Sequence, residues 1–217
     1  MRPITSLILL VLIIPSLGSE CERKRLTELN ECLLELSDGT LLYPSSSPFD
    51  VIFREDLQNL SAALDGLAEV NKAFGTWSVF NPIVSTDQWN NIELLPLIER
   101  VQLVIVSEGF AGAPTWDGAE LLSDPGGMSI LYWQDDHRIV SAEITLSPDY
   151  TYDPEWVRKG MIHELGHVLA LAHDPRSIDL GSCMTSPPYD NCTLILADVD
   201  CVEEGIEHAK TMEVGKE

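Results

Sequence analysis

The chain has 217 residues, 45% hydrophobic and 22% charged, which suits one domain with a buried core and excludes a low-complexity or disordered chain. It carries 13 Lys and Arg against 35 Asp and Glu, a formal net charge of −22. Such a surface repels nucleic acid phosphates and anionic lipids, so neither is expected as a partner, while calcium and basic substrates remain compatible with it.

Residues 1–18 read as a signal peptide. Arg2 supplies the positive start, Leu7 to Ile14 form an apolar run ended by Pro15, and small residues follow at Ser16, Gly18 and Ser19. Cleavage is expected after Gly18 or Ser19. The run is too short to span a bilayer, and no later segment is apolar enough, so the mature chain is expected to be secreted. Glu20 directly before Cys21 disfavours a lipid anchor there, because that position should be small.

Residues 19–47 read as a short N-terminal extension and linker. The stretch 20–37 has the composition of a charged helix. Asp38-Gly39 and the Pro44 to Pro48 run of prolines and serines then mark a connection. The folded domain, 48–217, is expected to begin near Phe49. Phe49 to Phe53 is a candidate strand. Asp56 to Phe74 has helical spacing, with Leu57, Leu60, Leu64, Leu67 and Val70 along one face. Trp77 to Val84 is a further candidate strand, and Val101 to Val106 is a β-branched run of the kind found in buried central strands. Gly109 to Gly127, rich in Gly, Ala and Pro, reads as a surface loop. Met128 to Trp133 and Arg138 to Leu146 are two more strands, with a turn at Asp135-Asp136-His137 between them.

A helix is signalled after Asp153. That residue suits an N-cap, Pro154 the first helical position, and Glu155 the positive helix end. Val157, Met161, Leu165, Val168 and Ala172 recur at helical spacing and can face a core. Asp198 and Asp200 fit caps at the start of a last helix. Strands interleaved with helices in this order predict a mixed α/β (α+β) domain with two main helices.

Five cysteines lie beyond residue 18: Cys21, Cys32, Cys183, Cys192 and Cys201. Export makes disulfides plausible, with one pair expected among the last three and Cys21 with Cys32 as another. The odd count leaves one over. Asn59-Leu60-Ser61 and Asn191-Cys192-Thr193 fit the glycosylation sequon.

The chemistry lies at 163–173. His163-Glu164-Leu165-Gly166-His167 puts two imidazoles at i and i+4, one turn apart on a single helical face, where both can reach one zinc ion. Glu164 stands beside them, within reach of a water at that ion. A catalytic zinc needs a third protein ligand, and His173 follows six residues after His167. Met184 comes eleven residues later, in Ser182-Cys183-Met184-Thr185.

From about Arg138 to Pro187 the chain resembles the metzincin zinc endopeptidases, whose extended histidine motif is followed by a methionine turn. The resemblance implies His163, His167 and His173 as zinc ligands, Glu164 as general base, and Met184 as the floor of the site. It also implies a mostly parallel twisted sheet and a zinc cleft between an N-terminal and a smaller C-terminal subdomain, with the strand 138–146 near the cleft edge. The expected activity is hydrolysis of protein or peptide substrates with one catalytic zinc, calcium being a further candidate ion. The alternative is a latent or non-catalytic zinc-containing binding protein of the same fold, with Cys21 or Cys32 as a thiolate latch. The short histidine-to-methionine spacing looks like matrixins, and Asp174 with the nearby cysteine like adamalysins. Where the family has glycine this chain has Ala170, at a cost of roughly a kcal/mol if positive φ is required there.

Overall fold

β-Branched and aromatic residues build the first strand, β1 (Phe49–Arg54), whose Phe49, Val51, Ile52 and Phe53 are buried. The computed structural model describes residues 31–46, 48–55, 57–75, 79–85, 101–106, 118–124, 127–134, 136–146, 151–173, 181–185 and 192–214. After β1 the chain forms helix α1 (Leu60–Ala73) and returns as β2 (Phe80–Ser85). Strands β3 (Val101–Val106), β4 (Gly118–Asp124), β5 (Gly127–Trp133) and β6 (Ile139–Leu146) follow. Helices α2 (Pro154–Val168) and α3 (Leu196–Val214) come last.

The strands make one six-stranded sheet in the order β2-β1-β3-β6-β5-β4. The pairs β1–β2, β1–β3 and β3–β6 are parallel, and β5–β6 and β4–β5 antiparallel. Parallel neighbours need a crossover, and α1 supplies it between β1 and β2. α1 crosses α2 closely, because Gly66 has no side chain where Arg158 O and the Met161 side chain lie. The mixed α/β expectation therefore holds at the level of helices and strands, with three helices among the described residues.

Several finer expectations change. Residues 118–124, within the stretch read as a surface loop, form β4. Its pairing with β5 makes β4 the edge of the sheet on that side, with β5 and β6 inside it. On α1 the most buried face is Ala62, Ala63, Gly66, Leu67 and Val70, with Leu60 and Leu64 at its margin, because the small residues lie under the crossing with α2.

The segment read as a linker belongs to the folded unit. Leu33, Leu41, Leu42 and Tyr43 are buried in the main core. Residues 33–36 are extended rather than helical, with Leu33 bridged to Leu171, and Tyr43 bridged to Arg138. Prolines and serines end regular structure without preventing burial, and the apolar run at 41–43 decides the outcome.

Two disulfides form, Cys32–Cys201 and Cys183–Cys192. The second is a pair within the expected trio. The first replaces the expected Cys21–Cys32 pair and removes Cys32 as a free thiol. Cys21, the signal-like residues 1–18, Asn191 and Asp174 lie outside the described residues. Both disulfides suit an oxidising, extracellular setting. Among the described residues no helix is long and apolar enough to cross a membrane.

Candidate metal centre

α2 begins as its sequence predicts. The Asp153 carboxylate accepts from Glu155 N at 2.9 Å, and Pro154 opens the helix. Val157, Met161, Leu165 and Val168 are buried on the core side. His163 and His167 are also buried, on the face toward residues 171–173 and 182–184, and the buried Glu164 carboxylate lies against β5.

The helix ends so as to deliver the third histidine. Leu171 N donates to Gly166 O at 3.0 Å and Ala170 N to His167 O at 2.9 Å, with Ala170 in the left-handed region at φ 63. This arrangement satisfies the last carbonyls and reverses the chain. The N-terminal segment then holds the outgoing strand. Leu34 N donates to Ala170 O at 2.8 Å, and Ala172 N to Cys32 O at 2.9 Å. His173 follows directly and is exposed.

The three imidazoles converge. Their Nε2 atoms lie 3.2 Å (His163–His167), 3.1 Å (His167–His173) and 3.2 Å (His163–His173) apart. Two tautomers follow from the neighbours. His163 Nδ1 lies 2.6 Å from Cys183 O and His167 Nδ1 lies 2.8 Å from Leu171 O. A carbonyl only accepts, so each Nδ1 carries the proton and each Nε2 of the neutral ring presents a lone pair. Two such lone pairs pointed at one place repel unless a cation lies between them.

The group can hold a metal ion, and the donor set is compatible with zinc. Nitrogens 2.0–2.1 Å from a shared tetrahedral ion stand roughly 3.3–3.4 Å apart, close to the spacings here. Among the described residues the group is three histidines, one of them exposed. The carbonyls of Cys183 and Leu171 orient the rings from behind.

Met184 is buried beside the centre, against Gly166 of α2. Its segment is anchored twice. Cys183 is bonded to Cys192, and Ser182 Oγ accepts from Met184 N at 3.0 Å while donating to Asp198 Oδ2 at 2.7 Å. Asp198 Oδ2 also accepts from Ile195 N at 2.8 Å, so this residue caps α3 and braces the methionine segment together. Asp200 is exposed and takes no such part. His137 lies in the turn between β5 and β6 at φ 61, as its sequence context predicts.

One neighbour of the centre was not signalled by sequence. Ser129 Oγ of β5 donates to Glu164 Oε2, joining residues 35 apart in the chain. Glu143, buried on β6, belongs to another environment: its partner is Tyr132 Oη, at 3.0 Å. Ser129 and Ile144 are paired across β5 and β6, so Glu143 faces the side of the sheet away from α2. Comparison of the chain with protein-family models, with curated proteins and with solved structures finds no match.

Proposed function

We propose that the chain is a secreted zinc-dependent endopeptidase of the metzincin type, acting on protein or peptide substrates. The observation that carries this reading is the meeting of three histidine Nε2 atoms within 3.2 Å, with Glu164 next to the first of them on α2. His163, His167 and His173 would hold the ion. When bound, zinc supplies a Lewis acid that polarises a carbonyl oxygen and acidifies a water.

The rest of the chemistry falls to side chains. Glu164 takes a proton from the attacking water and gives it to the departing amine. A carboxylate does both because its two protonation states match the start and the end of that transfer. Cys183 O and Leu171 O hold two of the rings in the tautomer that presents Nε2. Met184 gives the cluster an apolar floor of fixed shape. Two disulfides and the signal-like N-terminus support export.

The test is cleavage of a mixed quenched-peptide library by purified residues 19–217, alongside Glu164→Ala and His167→Ala. Wild-type turnover should vanish with a zinc chelator. Glu164→Ala should keep one zinc per chain and lose nearly all turnover, and His167→Ala should lose the metal. A folded, zinc-loaded wild type without turnover would refute the peptidase reading and favour the latent or binding alternative.

A further inference from the structure

A glutamate side chain has three rotatable bonds, and a general base works only where its oxygens stand within hydrogen-bond reach of the proton they take. Strand β5 meets the carboxylate of Glu164 at both oxygens. Ser129 Oγ donates to Oε2. A Cβ built on Gly127 would stand 2.5 Å from Oε1. Residues i and i+2 of a strand share a face, so both contacts come from one short stretch of β5.

Each contact has a chemical reason. Ser129 has no exposed surface and Glu164 is 2% exposed, so bulk water competes little for their hydrogen bond. A bond to a carboxylate is charge-assisted and strong for its kind. Gly127 is not among the residues with positive φ, so its backbone does not demand glycine. The missing side chain makes room for the carboxylate.

We infer that Gly127 and Ser129 form a seat for the general base: the glycine leaves space for one carboxylate oxygen and the serine hydroxyl holds the other. The inference rests on the reading of Glu164 as the base of a peptide hydrolase. Ser129 touches neither substrate nor metal in this role. It is a positioning residue, acting through Glu164 and moving no proton of its own.

The test uses Ser129→Ala, which removes the hydroxyl with little change in volume, and Gly127→Ala, whose methyl crowds the Glu164 carboxylate. Both should lower kcat about tenfold, with KM changed less than about twofold, since a misplaced catalytic group costs the chemical step rather than binding. Zinc per chain should stay at the wild-type value. A second readout needs no activity: thermal unfolding midpoints of the metal-free protein carrying Ser129→Ala, Glu164→Ala, or both. The double variant should lose less than the sum of the singles, because either change already breaks the contact.

Unchanged kcat in Ser129→Ala, or additive midpoints, would overturn the seat. So would a parallel loss of zinc or rise in KM, which marks a general structural role. Absence of turnover by the zinc-loaded wild type overturns the hydrolase reading instead. Coupled midpoints would then still support the seat as a contact, and additive ones would overturn it.

Discussion

Met184 Sδ occupies the space that a side chain on Gly166 would need. The two residues are 18 positions apart in sequence, and each is buried. Their contact lets the segment carrying Met184 lie directly against the helical turn between His163 and His167.

This contact reverses the usual sign of a helix substitution. Gly→Ala in a helix interior normally stabilises by about 1 kcal/mol. In Gly166→Ala the new methyl must displace a buried methionine whose own backbone is held by Ser182, and overpacking of that kind costs about 1–3 kcal/mol. The expected result is a net loss of up to about 2 kcal/mol in urea unfolding, with faster loss of zinc to a chelator. A stabilised Gly166→Ala that retains zinc normally would show that the methionine segment yields freely.

Ala170 predicts the opposite. It sits at φ 63, where a Cβ is strained by roughly 1–2 kcal/mol, at the residue that turns the chain toward His173. Glycine relieves that strain but adds about 0.4–1 kcal/mol of unfolded-state entropy. Ala170→Gly should therefore stabilise by about 0.5–1 kcal/mol, unlike most Ala→Gly changes. Urea midpoints measure it, and a loss of stability would mean that Leu34 and Leu171 hold the turn at no strain.

The histidines were legible because local geometry settles their neighbourhood. His163 and His167 are one helical turn apart in any helix, and the capping residues at 153–155 announce that helix. The strain at Ala170 was legible for the same reason. Ser129 was not, since a serine on a strand carries no local sign of the helix it will face. The same holds for Cys32 and Cys201, which are 169 residues apart. The segment 37–46 misleads in another way: its Pro, Ser and Gly residues describe a backbone without regular structure, whereas its burial depends on Leu41, Leu42 and Tyr43 meeting partners far along the chain. β4 was hidden by its glycine-rich and proline-rich surroundings, and its strand character comes from pairing with β5.

Glu143 makes stability depend on pH. Burial raises its pKa above the ordinary 4.5, opposed by the hydrogen bond from Tyr132. The folded state thus holds this proton more tightly than the unfolded chain. Its contribution is fully present below pH 4.5 and is lost as pH rises through the folded-state value. Glu143→Gln keeps an acceptor for Tyr132 and cannot ionise. The variant should be more stable than wild type near neutral pH, and the difference should shrink as pH falls below 4.5. Urea midpoints at the two ends decide it, and a gap that widens in acid would refute the assignment.

The N-terminal segment bears on latency. An inhibitory extension should raise turnover when it is trimmed. Here residues 32–34 hydrogen-bond to the stretch that delivers His173, and Cys32 is bonded to Cys201 of α3. Trimming to residue 48 removes that disulfide, whose loss costs about 2–5 kcal/mol. It also removes Leu33, Leu41, Leu42 and Tyr43 from the core, at about 1.5–3 kcal/mol for each large apolar side chain. Together these losses rival the whole stability of a typical domain, about 5–15 kcal/mol. The chain 48–217 should therefore lose its cooperative unfolding transition and its ability to hold a metal ion. Cys32→Ser with Cys201→Ser should fold less stably and release zinc faster, because the strand leading to His173 is no longer tied to α3. Peptide turnover and zinc content of 19–217, the double serine variant and 48–217 give the order. A rise in turnover on trimming would mean that residues 32–46 cover the centre instead of supporting it.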